Sequence, residues 1–393
     1  TDLIDPACGS GHFLLGAFER LLAHWQTKET ATSTRALCQR ALDQIAGVDI
    51  NPFAVAIAEF RLLVAALNAS EVKELKDAPD FRFNLATGDS LLHGRRPGQF
   101  DVSDAAVKDE FRHLYEAEDE QKLRRILDHR YAAVVAKPPY ITPKDPAANE
   151  AYREIYRGCH RQYALSVPFM EKIFDLARPS DGRTPAGFTG QITANSVMKR
   201  EFGKKLVEEY LPNWDLTHLI DTSSAYIPGH GTPTVILFSR ARAPRAQTVR
   251  GVLGIRGEPS TPAVASEGKV WTAITQLVDQ PGIEGEFVSV EELERKTLAK
   301  HPWSLQGGGA LEVKKVVEIQ SVSTLGENLE SAGFTAITGE DEIFVVSKDL
   351  ALRIIGGPPV EPFVEGDTVR DWRLASSLGC LAAWRDKDID HTI

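Results

Sequence analysis

The chain has little cysteine and no long apolar run. Its 393 residues include four cysteines, none of them in a Cys-x-x-Cys pair or beside a histidine at metal-ligand spacing, so we expect reduced, cytosolic thiols and no metal site. No uninterrupted apolar run reaches the roughly 18 residues of a membrane span, and no signal peptide opens the sequence. These absences argue against a secreted disulfide protein, a zinc protein and a membrane protein.

The chain also lacks an excess of positive charge, since 55 acidic and 45 basic side chains give a formal net charge of −10. A DNA-binding protein usually has a basic face, because the neutralisation of phosphates supplies much of its affinity. Net charge does not reveal local patches, however, and Lys199-Arg200, Lys204-Lys205 and the stretch 240–250 are candidates for one. The acidity therefore counts only slightly against nucleic acid.

Short apolar runs alternate with helical patterns over the first 240 residues, which is typical of βα units around a parallel sheet. We predict an α/β fold with a doubly wound, mostly parallel sheet of seven strands. The connection between the sixth strand (216–221) and the seventh (233–239) is too short for a crossover helix. The last strand should therefore run antiparallel.

The alternation stops at a Pro/Arg/Ala segment, 241–250. We predict one domain at 1–245, a linker or insertion at 246–310, and part of an α+β region at 311–393. Thr1 lies within a strand that leads directly into Asp5, which predicts that the chain is an internal fragment and that its first domain is truncated.

The segment 5–11, Asp-Pro-Ala-Cys-Gly-Ser-Gly, lies where the first strand turns into a helix. Glycine is needed there because a side chain would block the approach of a ligand to the backbone. Asp49 ends the second strand, where a carboxylate can accept both hydroxyls of a ribose. Asp89 ends the third, where it can contact an adenine amino group. Helix capping is the alternative role for both acids.

The segment 137–140, Lys-Pro-Pro-Tyr, follows the fourth predicted strand. The two prolines fix two φ angles, so that main-chain carbonyls and the Tyr140 ring are held in a fixed relation. A planar base swung out of a helix could stack on that ring while its amine faces the carbonyls. An ordinary turn is the alternative, but doubly wound sheets bind ligands at this end of a strand.

In order and spacing, the segments 5–11, 48–49, 88–89 and 138–140 resemble the amino-methyltransferases that modify adenine N6 in DNA. The segments 190–195 and 226–232 resemble more specifically the phage-defence methyltransferases of the BREX and phage growth limitation systems. The resemblance covers about residues 1–310. It implies the class I methyltransferase fold and S-adenosylmethionine as cofactor. Its partners would be double-stranded DNA with a flipped adenine and other phage-defence proteins, with 311–393 the start of a target-recognition or accessory region.

The resemblance also implies roles for individual residues. The cofactor-binding positions would be Asp5, Pro6, Ala7, Cys8, Gly9, Gly11, Asp49, Ile50, Asp89 and Ser90. Residue 137 and the Pro138 carbonyl would accept hydrogen bonds from the target amine, with Pro139 in the same turn and Tyr140 stacking on the base. Tyr226 or His230 could close the far side of the base pocket, or their segment could be a simple connecting turn.

Lys137 departs from the family pattern, which has Asn or Asp at this position. Lysine offers three donors and no acceptor, and the loss of a buried acceptor costs ~1–3 kcal/mol. The target amine becomes cationic as it is methylated, so an ammonium group beside it opposes the transition state. We therefore predict that the enzyme is catalytically impaired. The lack of the upstream segment that packs on the methionine moiety in this family predicts weaker cofactor binding as well.

Two other interpretations remain open. Pro-Pro-Tyr chemistry also serves glutamine and ribosomal-RNA amino-methyltransferases, although the large region after residue 245 argues against the small glutamine-modifying enzymes. A non-catalytic scaffold that binds S-adenosylmethionine, DNA or defence proteins is favoured by Lys137 and by the acidic balance.

Overall fold

The computed structural model describes residues 2–72, 74–94, 119–229, 231–323 and 325–329, and the short pieces 345–351, 353, 360–362, 369–370, 373–374 and 378–381. The chain divides into two compact units, Thr1–Glu318 and Ile319–Ile393. The described part of the second unit contains a three-stranded antiparallel sheet and a two-stranded one.

The first unit is built from alternating strands and helices. Its described strands are β1 (Leu3–Asp5), β2 (Ile45–Asp49), β3 (Asn84–Thr87), β4 (Ala133–Ala136), β5 (Phe188–Ala194), β6 (Asp215–Asp221), β7 (Thr234–Arg240), β8 (Thr248–Gly254) and β9 (Val288–Glu294). The described α-helices that begin in this unit are α1 (His12–Lys28), α2 (Thr34–Asp43), α3 (Pro52–Ala69), α4 (Glu120–Asp128), α5 (Pro146–Ile155), α6 (Ser166–Leu176), α7 (Ser196–Lys199), α8 (Lys269–Leu277), α9 (Arg295–Leu298) and α10 (Ala310–Gln320).

The strands form one sheet in the order β3-β2-β1-β4-β5-β7-β6-β8-β9. The strands β3, β2, β1, β4 and β5 pair in parallel, and β7 is antiparallel to both β5 and β6. The predicted α/β class and the antiparallel seventh strand are confirmed. The predicted number of strands is wrong, because β8 pairs in parallel with β6, and β9 pairs antiparallel with β8.

Successive side chains along each strand point to opposite faces of the sheet, and they contribute to two core clusters, one on each face. On one face, Ile45 and Leu85 pack with α1, α2 and α3. On the other, Ile4 and Val48 pack with α4 and α6. The sheet is therefore covered on both faces, as expected for a doubly wound fold.

Among the described residues, one helix is long and apolar enough by composition to cross a membrane, namely α3, with a mean hydropathy of 1.5 over 18 residues. It contains Glu59 and Arg61, which interrupt the apolar run and explain why the sequence showed none of that length. Ala58 and Leu62 on its inner face are buried in the core, whereas Phe53 on its outer face is 78% exposed. Its packing beside β2 and β3 accounts for the apolar character of the inner face.

The segment 246–310, predicted to be a linker or insertion, contributes β8 and β9 to the sheet. Asp215, at the start of β6, fastens it there. Its Oδ1 accepts a hydrogen bond of 2.8 Å from Arg295, and its Oδ2 accepts one of 2.8 Å from Arg242. Arg295 also donates to the carbonyl oxygens of Leu216 and Ala246, at 2.7 and 2.6 Å. A buried carboxylate thus ties this segment into the first unit.

We expect Asp215→Ala to lower the free energy of unfolding by about 3 kcal/mol, because it leaves two partly buried guanidinium groups without their carboxylate. Urea denaturation would measure the loss. Glu286→Ala is the matched control, since it removes an exposed pair with Arg256 and should cost less than about 1 kcal/mol. Similar losses in the two variants would show that Asp215 does not anchor the segment.

Candidate active site at the carboxyl edge of the sheet

The segments 5–11 and 137–140 leave the sheet side by side. Strand β1 pairs in parallel with β4, with Leu3 opposite Ala133 and Ile4 opposite Val134. Neighbouring strands lie about 4.8 Å apart, so the two segments that follow these strands lie next to each other at the carboxyl edge, where doubly wound sheets form their ligand crevice. Strands β2 and β3 continue the sheet on the other side of β1 and bring Asp49 and Asp89 to the same edge.

The two glycines of the turn after β1, Gly9 and Gly11, have different structural roles. Gly9 and Gly11 both have positive φ values, 51° and 81°, which L side chains rarely adopt. A Cβ on Gly11 would lie 2.9 Å from the Cβ of Ala58, so this glycine lets the turn pack on α3. A Cβ on Gly9 would meet nothing within 4 Å, so there is open space over this part of the turn.

Asp49 joins that turn to the end of β2. Its Oδ2 accepts a hydrogen bond of 2.8 Å from the Gly9 amide, and its Oδ1 accepts one of 2.9 Å from the Asn51 amide. Asn51 is the N-cap of α3, because its side chain accepts from the Phe53 amide at 3.0 Å. The capping role considered for Asp49 is therefore filled by Asn51. Ile50, beside them, is 47% exposed.

Asp5 is buried at the end of β1, with its side chain accepting a hydrogen bond of 3.0 Å from the Ala7 amide. Burial raises the pKa of this carboxyl group to about 7, the Ala7 amide lowers it, and the nearby charge of Asp49 raises it further. Asp5 therefore changes its charge close to neutral pH.

Asp89 is buried at the end of β3, and each of its carboxylate oxygens has a partner. Oδ1 accepts from the Leu91 amide at 2.8 Å, and Oδ2 accepts from the Tyr152 hydroxyl at 2.5 Å. Burial raises the pKa of Asp89, although both hydrogen bonds lower it. Next to it, the Ser90 hydroxyl donates to the Pro6 carbonyl at 2.7 Å. Ser90 and Pro6 thus join the loop after β3 to the turn after β1.

Cys8 contributes its side chain to the core instead of the crevice. The thiol is buried in the cluster that packs under α1, where it lies 3.1 Å from the position of a Cβ on Gly47. Burial raises the pKa of the thiol, so it is neither a nucleophile nor a charged ligand group. Any contact of Cys8 with a cofactor would come from its backbone.

In the second motif, the Tyr140 hydroxyl donates to the carbonyl of Ile192 in β5 at 3.3 Å. The ring is partly buried, and this burial raises the pKa of the hydroxyl. Pro138 is buried and Pro139 is exposed. Lys137 is exposed, and its Nζ lies 5.1 Å from the centroid of the Tyr140 ring. The ring is therefore held at the sheet edge with the lysine ammonium group over it.

Tyr226, a predicted base-pocket residue, is on the loop between β6 and β7 at the same edge. It lines an apolar cavity of about 650 Å³ that reaches α1 and α8. Ile192, whose carbonyl accepts the hydrogen bond from the Tyr140 hydroxyl, also lines this cavity, so Tyr140 is bonded to a residue of the cavity wall. His230, the other predicted pocket residue, lies outside the described residues.

The motifs did not reveal Tyr152, which contacts Asp89. It is on α5, and Tyr156 follows four residues later, with its hydroxyl donating to the Leu91 carbonyl at 2.8 Å. The spacing of four would place the two rings on one face of a helix. Nothing in the spacing indicates which strand end that face meets, so the sequence offered a weak signal.

Comparisons with known proteins show which families the sequence resembles. Residues 43–227 match the family described as Eco57I restriction-modification methylase. The adenine-specific methyltransferase PglX of Streptomyces coelicolor is 45% identical over 385 residues, which is 95% of this chain and 32% of PglX. The type II methyltransferase M.PaeR7I of Pseudomonas aeruginosa is 24% identical over 356 residues, which is 87% of this chain and 51% of that protein. The chain thus spans a third to a half of the length of these relatives.

Two solved structures share the fold. The modification subunit of a putative type I restriction enzyme from Vibrio vulnificus YJ016 has a TM-score of 0.51 at 16% identity, over 80% of this chain and 57% of that one. The type IIL restriction-modification enzyme MmeI, solved in complex with DNA, has a TM-score of 0.53 at 13% identity, over 98% of this chain and 45% of that one. The resemblance expected from the motifs is confirmed: residues 43–227 match a restriction-modification methylase family, and 95% of the chain is similar to an adenine-specific methyltransferase.

Proposed function

We propose that the first compact unit binds S-adenosylmethionine and transfers its methyl group to N6 of a flipped adenine in double-stranded DNA. The observation that carries this proposal is the parallel pairing of β1 with β4, which sets the glycine turn beside the Pro-Pro-Tyr motif. The similarity to PglX supports adenine as the target. The role would be that of the modification or host-discrimination component of a phage-defence system of the BREX type.

The residues at the sheet edge fit this cofactor. The Asp49 carboxylate is fixed by two amides, yet each oxygen keeps a lone pair with which to accept a ribose hydroxyl. The open space over Gly9 leaves room for the ligand beside the backbone. Asp5 places an acidic group where the cationic methionine end would lie, and Asp89 offers acceptors to the adenine amino group. When bound, the cofactor supplies an electrophilic methyl group on a cationic sulfur.

On the target side, the turn 138–140 would hold the base. The Tyr140 ring is fixed by its bond to Ile192 and would stack on the flipped adenine. The Pro138 carbonyl would accept a hydrogen bond from the amine and so direct the nitrogen lone pair. Tyr226 would close the far side of the pocket. No covalent enzyme intermediate is needed for direct transfer to nitrogen.

Lys137 works against this arrangement in two ways. Its ammonium group offers no acceptor to the amine and opposes the positive charge that develops there. It also lies over the Tyr140 ring, in cation–π contact with a surface on which the base would stack. We propose that the enzyme is strongly impaired with lysine at this position. The same feature favours a second candidate function, in which the unit binds S-adenosylmethionine or DNA without transferring a methyl group.

We expect Lys137→Asn to raise the rate of methyl transfer by about 10²-fold, because it restores an acceptor and removes the opposing charge. The assay would follow transfer of the radiolabelled methyl group of S-adenosylmethionine to duplex DNA. Lys144→Asn is the control, since Lys144 is an exposed lysine in the same loop. Robust, equal activity of wild type and Lys137→Asn would show that Lys137 is compatible with catalysis. An inactive Lys137→Asn variant that still binds the cofactor would favour the scaffold.

We also expect the affinity for S-adenosylmethionine to rise with pH up to about 7 and then to level off. The pKa of Asp5 is raised to about 7, so below this pH the carboxyl group is neutral and must lose its proton to attract the cationic ligand. The Kd should increase by up to about tenfold per pH unit as the pH falls from 7 to 5.5. Calorimetry over this range would measure it. In Asp5→Asn the dependence should disappear, and its persistence there would assign it to another group.

Despite the net charge of −10, basic residues lie near the proposed target site. Lys199, at the end of α7, and Arg200 are exposed, and they follow β5, whose Ile192 carbonyl holds Tyr140. The segment 195–205 contains four basic residues and one acidic residue. In this proposal these side chains would contact DNA phosphates beside the flipped base.

We expect the double substitution Lys199→Gln and Arg200→Gln to weaken binding of duplex DNA by about tenfold and to reduce the salt slope by about one to two, as for two lost phosphate contacts. Fluorescence anisotropy at several salt concentrations would measure both. The matched control is Lys28→Gln with Arg183→Gln, because α1 and the loop before β5 place these exposed cations at the opposite edge of the sheet. An equal loss in both variants would mean that the effect is one of net charge alone.

A further inference from the structure

The chain that leaves the Pro-Pro-Tyr turn packs against the cofactor side of the crevice. Helix α5 begins six residues after Tyr140, with Asp145 as its N-cap. Its buried face, which includes Ala148 and Tyr152, shares one core cluster with Leu91 of the loop after β3. Helix α5 therefore follows the target-base motif in the sequence but packs against the loop of the proposed cofactor site.

The contact between Tyr152 and Asp89 is the most specific part of this packing. The Tyr152 hydroxyl donates to Oδ2 of Asp89 at 2.5 Å, across 63 positions of sequence, and both residues are buried. This distance is typical of a strong O–H···O⁻ hydrogen bond. With the Leu91 amide on Oδ1, the two donors fix the plane of the carboxylate. A carboxylate has about four acceptor positions, so these two donors and the Leu92 amide leave it capacity to accept from a ligand.

Tyr156 provides a comparison within the same stretch of chain. It is buried to a similar degree and its hydroxyl bonds to the neighbouring Leu91 carbonyl. That bond supports the same loop, and no described hydrogen bond joins Tyr156 to the Asp89 carboxylate. A role in holding the loop is therefore open to both tyrosines, whereas a role in orienting the carboxylate belongs to Tyr152.

We propose that Tyr152 is a positioning residue that orients the Asp89 carboxylate to accept the exocyclic amino group of the cofactor's adenine. Helix α5, which follows the target-base motif, would thus contribute to the selectivity of the cofactor site for adenine over other bases. A carboxylate held in this way favours a 6-amino group and repels a 6-oxo group, whose oxygen is itself an acceptor. This inference rests on the proposed function, because it requires S-adenosylmethionine to bind beside Asp89.

The test compares the affinities for S-adenosylmethionine and for its deaminated analogue, S-inosylmethionine, measured by calorimetry. Wild type should prefer the adenosyl ligand by about 100-fold, because a 6-oxo group leaves a buried acceptor of Asp89 without its donor. Tyr152→Phe should lower this ratio to about tenfold or less. Tyr156→Phe, the matched control, should keep the wild-type ratio, and thermal unfolding would verify that both variants are folded.

A merely structural role of Tyr152 would weaken both ligands equally and leave the ratio unchanged, which would overturn the inference. A wild type that does not discriminate would also overturn it, because Asp89 would then not contact the amino group. Asp89→Asn should lose the discrimination, and adding Tyr152→Phe to it should change the ratio no further. Absence of S-adenosylmethionine binding by wild type would refute the proposed function, and this inference with it.

Discussion

The pairing of β1 with β4 is the constraint on which the candidate site depends. Ile4 and Val134 lie opposite each other in adjacent strands, and both enter the core cluster under α4 and α6. A slip of one residue would turn these side chains to the other face of the sheet, so their burial fixes the register. That register also decides where the segments 5–11 and 137–140 leave the sheet. Apolar packing inside the molecule therefore sets the distance between two groups of polar residues at its edge.

Three acidic residues at the ends of adjacent strands give the crevice its electrostatic character. Asp5 and Asp89 are buried, and Asp49 is half-buried. Their described hydrogen-bond partners are backbone amides and a tyrosine hydroxyl, which orient the carboxylates but bring no positive charge. Burial raises the pKa of Asp5 and of Asp89. A cationic ligand would stabilise their ionised forms, so the site favours positive charge on one side of the crevice, while Lys137 supplies positive charge on the other.

The sequence predicted the features that depend on neighbouring residues. A glycine turn after an apolar run, acids at strand ends and a connection too short for a helix are local signals. The strands β8 and β9 were not predicted. Arg250 and two glycines weaken the apolar pattern of β8 (248–254), and β8 pairs with β6, which is distant in sequence. The bonds from Arg295 to Asp215 and from Tyr152 to Asp89 span 80 and 63 positions. Such contacts depend on which surfaces the fold brings together, and no spacing in the chain encodes them.

The partner of the Tyr140 hydroxyl is a main-chain carbonyl, that of Ile192. Any residue that keeps the same backbone conformation presents this carbonyl oxygen. The side chain at position 192 can therefore vary without breaking the hydrogen bond that holds Tyr140. Since residue 192 also lines the apolar cavity, substitutions there can change the shape of the cavity during evolution while the Tyr140 ring keeps its position.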